Sequence, residues 1–301
     1  MLKVQFKTDT FFKAVCLGCG AVTLLLTLGL CIQLFCSSGE AWTKFGLGFL
    51  VSSEWNPADE LYGALPGITG TLITTAIALV IALPLAYAAA MYLVDAPPWA
   101  GNVLSHTVDL LAAIPSVIFG MWGLFILAPL MQDYVQPFIN KLLHTDMDYN
   151  GFGLFTAGVI LSVMILPYMC AVFRDVFRMT PAVLRESAFG IGCTRYEVSK
   201  DIILRYGIRG ILGGIFIGLG RALGETMAVL FVIGNMMEMP SNIFSSATTI
   251  SATLANNFAE ADGMQRSALF ALGLVLLGMC FTLQLISQYY LHSTARKRGE
   301  K

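Results

Sequence analysis

Six runs of apolar residues, separated by polar stretches of uneven length, dominate the chain. They cover about 14–36, 66–94, 107–131, 153–173, 207–235 and 268–291. Each reaches the roughly 20 residues that a helix needs to cross about 30 Å of hydrocarbon. The pattern predicts an all-α membrane protein with six transmembrane helices. The first run exceeds the roughly 7–15-residue apolar core of a signal peptide, and no A-x-A-like site follows Cys36, so it is read as a retained helix. Pro84 and Pro115 fall inside the second and third runs, where neighbouring helices can satisfy the carbonyls that proline frees. The chain divides into a tail, first helix and outer loop at 1–65, a core at 66–291 and a tail at 292–301. No internal repeat is evident.

Composition agrees: 56% of the residues are hydrophobic and 12% charged, against about 25% charged in soluble domains. Cys16, Cys19, Cys31, Cys36, Cys170, Cys193 and Cys280 lie within or beside apolar runs. Cys16 and Cys19 have C-x-x-C spacing, but no His or second Cys pair stands near, so the thiols read as small apolar packing groups. His106, His144 and His292 are isolated from one another. The chain has no G-x-x-x-x-G-K-[ST] phosphate loop and no G-x-S-x-G elbow, so neither ATP hydrolysis nor acyl-transfer chemistry is expected of it.

Basic residues set the orientation. Lys3, Lys7 and Lys13 precede the first run. Arg174, Arg178, Arg185, Arg195, Lys200 and Arg205 lie between the fourth and fifth, and Arg296, Lys297, Arg298 and Lys301 follow the last. The other side offers Lys44, Lys141 and Arg266 but most of the acids, among them Glu40, Glu54, Asp59, Glu60, Asp133, Asp146, Asp148, Glu238, Glu260 and Asp262. By the positive-inside rule both termini and the 174–205 loop are cytoplasmic. Residues 95–106, assigned to the same side, contain no Lys or Arg.

That cytoplasmic loop predicts one helix over about 181–199. Thr180 is the expected cap, and Pro181 suits the first position because no N–H is missed there. Small residues at Ala188, Gly190 and Gly192 would let another surface approach closely. Two partners fit: a soluble protein, or anionic lipid headgroups bound by the arginines.

The fifth run carries the chemistry. Gly210, Gly214, Gly218 and Ala222 recur every fourth residue, the small-xxx-small spacing of closely packed membrane helices. At about 100° per residue, Gly214, Gly218, Arg221 and Glu225 fall within about 60° of each other. Arg221 is the middle of this run, where a charge costs about 2.5–3.5 kcal/mol on insertion scales. Two roles are open for Arg221 and Glu225. One is an i,i+4 ion pair that fixes packing. The other is an anion site, with the planar guanidinium presenting donors to an oxyanion and Glu225 holding it when no anion is there. Outside, Ser245, Ser246, Thr248, Thr249, Ser251 and Thr253 either line an anion's way in or belong to an interfacial helix over 241–262.

Two sets of motifs resemble known families. Glu186-Ser187-Ala188, then Gly192, then Ile202-x-Leu204 resembles the "EAA" loop of ABC-importer permeases, although Arg205 stands where that pattern usually ends in Pro. Trp55-Asn-Pro57, Tyr62-Gly-Ala-Leu-Pro66-Gly-Ile-Thr-Gly-Thr71, Ile114-Pro115-Ser116-Val-Ile-Phe-Gly120, Gly220-Arg221-Ala-Leu-Gly224-Glu225-Thr226-Met-Ala228 and Ala268-Leu-Phe-Ala-Leu-Gly273 resemble the PstC family of phosphate-importer permeases. The resemblance covers about 45–290.

It implies a type I ABC importer permease of six helices in a bacterial inner membrane. Glu186, Ser187, Ala188, Gly192 and Arg195 would belong to a coupling helix that docks an ATPase. Arg221, Glu225 and Thr226 would lie on the anion path. The implied partners are a PstA-like permease (a heterodimer), a dimer of PstB-like ATPases that use ATP and Mg, a periplasmic phosphate-binding protein, and membrane lipid. It implies no catalytic residue, no metal or cofactor bound by this chain and no nucleic acid. Two alternatives remain: a permease for molybdate or sulfate, and a proton-coupled secondary transporter or channel. The latter commonly shows inverted repeats with paired broken helices, which this sequence lacks.

Overall fold

A computed structural model describes residues 2–144, 147 and 150–297, with side chains left out at 2–10, 98, 143 and 292–297. Asp146, Asp148, Arg298 and Lys301 of the charge argument lie outside the described residues. Lys3, Lys7, Arg296 and Lys297 are described in backbone only. Nine helices carry the argument. They are α1 (Leu2–Ser37), α2 (Leu65–Asp95), α3 (Pro98–Ala113), α4 (Ser116–Leu142), α5 (Leu154–Arg178), α6 (Ala182–Gly190), α7 (Arg195–Gly224), α8 (Ile250–Asn257) and α9 (Gly263–Lys297). Among the described residues there is no strand, only isolated bridges at Asn56 with Leu61 and Gly234 with Ala247. Among the described residues six helices are long and apolar enough to span a membrane: Phe11–Ser37 of α1, then α2, α4, α5, α7 and Gly263–Leu291 of α9.

The centre is α2 packed on α5. Ala78, Ala82, Ala86 and Ala90 of α2 recur every fourth residue and are fully buried, so one flank of that helix is a groove without bulk. Where Gly158 of α5 crosses, a Cβ would lie 2.5 Å from Ile77 Cγ2. Water supplies little force between helices in lipid, so close van der Waals packing of small residues has to hold them. In α5 61% of the apolar window is buried; in α1 none is. Over residues 11–30 the first helix therefore exposes its apolar side chains on every side.

Two spans differ from the sequence expectation. The third run is not continuous through Pro115. Ile114 takes φ −67°, ψ 129°, and the chain breaks into α3 and α4. Proline disfavours helical backbone at the residue before it, and here that preference wins. Pro84, by contrast, stays inside α2. The fifth span is shifted wholesale, from the expected 207–235 to Arg195–Gly224.

Residues 225–262 then fold back into the protein with little helix, and Val232, Ile233, Phe244, Ala247 and Ile250 are fully buried. Irregular backbone is tolerable at such a place only if its polar groups find partners in protein. They do. Carbonyls of Val232, Ser245 and Ile243 accept from the N–H groups of Gly153, Leu154 and Phe155 at 3.0, 3.3 and 2.9 Å, satisfying the open N-terminus of α5. Ile250 N–H donates to Thr71 Oγ1 of α2 at 3.1 Å. The expected interfacial helix shrinks to α8. The hydroxyl residues Thr248, Thr249, Ser251 and Thr253, at and within α8, are buried against the bundle. Ser245 and Ser246 do line a cleft of about 310 Å³, with Asn150, Glu238 and Ser241.

Candidate functional site

Four glycines of α7, at 207, 210, 214 and 218, face α5. An added Cβ would lie 2.2 Å from Val176 Cγ2 at Gly210, 2.8 Å from Phe173 Cε1 at Gly214 and 2.9 Å from Met169 Cγ and Sδ at Gly218. These three positions, with Gly207 against Val176, let α7 lie on large side chains of α5 without side chains of its own between. That contact sets the depth at which the next turn of α7 arrives.

Arg221 is in that next turn. It is in the last turn of α7, because the helix stops at Gly224, and not at the middle of its own span. The neighbour it reaches is Tyr168, which lies well inside α5. Its guanidinium carbon stands 4.2 Å from the centre of the Tyr168 ring. Half-buried Arg221 has a buried Nε with no hydrogen-bond partner. The Tyr168 hydroxyl donates to the Ala112 carbonyl at 2.7 Å, at the end of α3 just before the Pro115 break.

The anticipated Arg221–Glu225 ion pair does not form. Among the described residues the salt bridges are Lys44–Glu60, Arg174–Asp109, Arg174–Asp175, Arg185–Asp95 and Arg205–Asp201. The physical reason is local: Glu225 takes φ −72°, ψ 132°, so it leaves the helical face that i,i+4 pairing requires. Glu225 Oε1 instead accepts from Ala228 N–H at 3.5 Å, and Thr226 Oγ1 donates to the Gly224 carbonyl at 3.4 Å. Arg221, Glu225 and Thr226 are thus gathered around the end of α7, with the cation held by an aromatic ring and the carboxylate turned to backbone.

At the opposite end of α7 the expected single helix over 181–199 is two helices. Residues 182–190 form α6; Gly192 takes φ +92° and the chain turns; α7 begins at Arg195. Thr194 caps α7, accepting from Glu197 N–H at 3.3 Å while Glu197 Oε2 accepts from Thr194 N–H at 2.7 Å. This T-x-x-E capping box stands in the sequence at Thr194-Arg195-Tyr196-Glu197, inside the stretch expected to be one helix. Thr180 does not cap α6: the N-cap position is Pro181, and the buried Thr180 Oγ1 has no hydrogen-bond partner.

Of the residues expected to couple to an ATPase, Glu186, Ser187, Gly192 and Arg195 are exposed, and Ala188 is buried at 4% exposure, facing its own protein. Ala188 is therefore unavailable to a partner. Around them Met179, Val183, Leu184, Phe189, Ile191 and Tyr196 are exposed, a set of large apolar groups gathered on α6 and its flanks. A cleft of about 520 Å³ opens beside them, lined by residues 178–182 with Arg185, Glu186 and Phe189. Arg185 pairs with Asp95 at 2.5 Å, and Tyr87 meets Ser199 at 3.1 Å, so α6 and the foot of α7 are both tied to α2. Val198–Ile203 is a π-helical stretch, a form frequent at functional sites. No group of three or more His, Cys, Asp or Glu that could hold a metal occurs among the described residues.

Residues 82–296 match the family described as "Binding-protein-dependent transport system inner membrane component". Similar relatives include the phosphate transport system permease protein PstC of Pasteurella multocida, 42% identical, with 100% of this chain and 95% of that protein covered. PstC of Mesorhizobium japonicum is 46% identical, with 97% and 92% covered. PstC of Haemophilus influenzae is 39% identical, with 97% and 96% covered. Among solved structures, an inward-facing MetNI methionine ABC transporter chain aligns with a TM-score of 0.54 at 16% identity, covering 77% of this chain and 94% of that one. A bacterial alginate ABC transporter chain gives 0.54 at 16%, with 79% of each covered. At that identity the likeness is one of fold.

Proposed function

The chain belongs to the PstC family of phosphate transport permeases, within the binding-protein-dependent transport inner membrane components, and on that premise we propose that Arg221 is its anion-recognising residue. The protein serves as one permease subunit of an ATP-driven phosphate importer. It is multi-pass in the inner membrane with both termini cytoplasmic, and it forms the path with a second, PstA-like permease. ATP and Mg are used by a PstB-like ATPase dimer, and a periplasmic phosphate-binding protein delivers the anion.

The observation that carries the reading is the state of Arg221. It is a guanidinium against the middle turns of α5, held by a ring that does not neutralise it, with a buried N–H still without a partner. A charge at that depth is costly and rarely present without a role. Arginine offers a planar fork matched to two oxygens of a tetrahedral anion. Phosphate meeting Arg221 exchanges hydration for charge-assisted hydrogen bonds, and Glu225, one residue past the helix end, opposes its staying.

Coupling follows from the other end. The exposed apolar set on α6 is the docking surface for the ATPase. Movement of α6 passes through Arg185–Asp95 and Tyr87–Ser199 to α2, the partner of the central helix α5. Such a rigid-body shift suffices to change which side of the membrane the path opens to.

The test is radiolabelled phosphate uptake by the assembled importer, reconstituted in vesicles, per mole of intact complex. Arg221→Gln should lower uptake at least about 100-fold, and Arg221→Lys, which keeps charge but not the fork, should fall between. Near-normal uptake by assembled Arg221→Gln complex would remove Arg221 from the path.

A further inference from the structure

We infer that Tyr168 is a positioning residue for Arg221: its ring is the resting seat of the guanidinium, and its hydroxyl pins that seat to the α3–α4 break. The inference rests on the reading of Arg221 as the anion-recognising residue.

A half-buried arginine needs something to hold it between transport events. A carboxylate would do so by occupying the N–H donors that the anion requires, and the anion would then have to displace it. An aromatic face attracts the cation through its ring quadrupole and accepts no conventional hydrogen bond from those donors. Tyr168 is placed to do this, with the guanidinium carbon 4.2 Å from its ring centre. The carboxylate that follows α7, on Glu225, faces Ala228 N–H instead.

Two further observations fix the ring. Its hydroxyl donates to the Ala112 carbonyl at 2.7 Å, and α3 ends one residue later, at Ala113. Tyr168 also follows Pro167, which lies inside α5 and removes the helical hydrogen bond that a residue at 167 would give to the Val163 carbonyl. The tyrosine therefore joins three elements at their weak points: the proline turn of α5, the end of α3 and the last turn of α7. Rotation of α3 against α5 moves the seat, and the cation with it. The resting position of Arg221 is thus set by the arrangement of the helices as well as by its own rotamer.

The experiment separates electrostatics from packing. Position 168 is loaded in the full importer with phenylalanine, then with mono-, di- and trifluorinated phenylalanine. Fluorine withdraws ring electron density while changing ring size little, so attraction for a cation falls stepwise. Phosphate uptake per assembled complex should fall with each step, by roughly tenfold across the series, as expected for losing an interaction of this type. Tyr168→Leu, which keeps an apolar side chain but has no π-face, should fall at least as far. A flat fluorine series, with Arg221→Gln inactive, overturns the role of Tyr168 and leaves Arg221 on the path. Full uptake in Arg221→Gln overturns both. A ring that only fills space would pass the fluorine series unchanged, so the series decides the matter even where the Leu variant assembles poorly.

Discussion

The same two helices, α5 and α7, meet in two unlike ways within a few turns. From Gly207 to Gly218 the contact is backbone against bulk: glycines accept Val176, Phe173 and Met169 with no room for a methyl group. One turn later a long charged side chain stands over a ring, 4.2 Å from its centre. The first contact allows one arrangement. The second is soft, since a cation–π contact tolerates displacement and leaves the charge available. A tight seam next to a loose charged contact gives an arginine whose depth is fixed and whose donors are free to be used. A seam alone would be inert, and a soft contact alone would leave a charge poorly placed in lipid.

The contrast is broken most severely at the seam. At Gly210 a Cβ would lie 2.2 Å from Val176 Cγ2 and 3.0 Å from its Cγ1. Valine is stiff at χ1 and cannot fold away. Gly210→Leu should destabilise the α5–α7 pair by about 3 kcal/mol or more, the upper range for overpacking, with Gly210→Ala between about 1 and 3 kcal/mol. Assembled complex, measured by its yield and thermal midpoint in detergent, should fall with uptake. If Gly210→Leu assembles normally, the seam does not fix the depth of Arg221.

What the sequence made legible follows the same division. Six spans were readable because apolar length alone decides whether a segment crosses lipid. The positions Gly210, Gly214 and Gly218 were readable because small residues at i+4 spacing are a local pattern. The ends of α7 were not placed. Its start is locally encoded in Thr194 and Glu197, inside a stretch whose overall pattern reads as one longer helix. Its finish depends on residues 225–262 lending carbonyls to the N-terminus of α5, a bond made across the chain that no local window contains. Tyr168 went unseen for the same reason, since nothing in the α5 sequence says that an arginine of α7 will reach it. Gly192 reads in the sequence as a small docking residue; its φ of +92° adds a backbone need that the sequence does not display, in a conformation that side chains with a Cβ rarely adopt. A bulky residue there would strain the turn whether or not a partner docks.

A milder change at the border sharpens the comparison. Gly218→Ala would bring its methyl group to 2.9 Å from Met169 Cγ and Sδ. Methionine has three rotatable bonds and can give way, so the cost should stay near about 1 kcal/mol. Met169 is the neighbour of Tyr168, however, and its displacement disturbs the ring before it disturbs the seam. Uptake should fall several-fold while the thermal midpoint hardly moves. A fall in the midpoint with uptake per complex unchanged would mean that the charged contact does not feel the seam at all.

The smallest effect is expected at Gly220, next to Arg221 in the chain but on another side of the helix. It is exposed, and nothing lies within 4 Å of where a Cβ would be. Gly220→Ala therefore meets no obstacle within this chain. It also gains helix propensity, worth up to about 1 kcal/mol in a helix interior and less this near the end. The thermal midpoint of the complex should stay level or rise slightly, and uptake should remain within about twofold, since alanine there neither touches Tyr168 nor alters the fork of Arg221. The informative failure is a loss of uptake with assembly intact. That result would place another surface, such as a second permease subunit, against the open side of α7. The functional contact would then surround the helix end instead of lying only between α5 and α7, and the division into a tight seam and one soft contact would no longer describe the site.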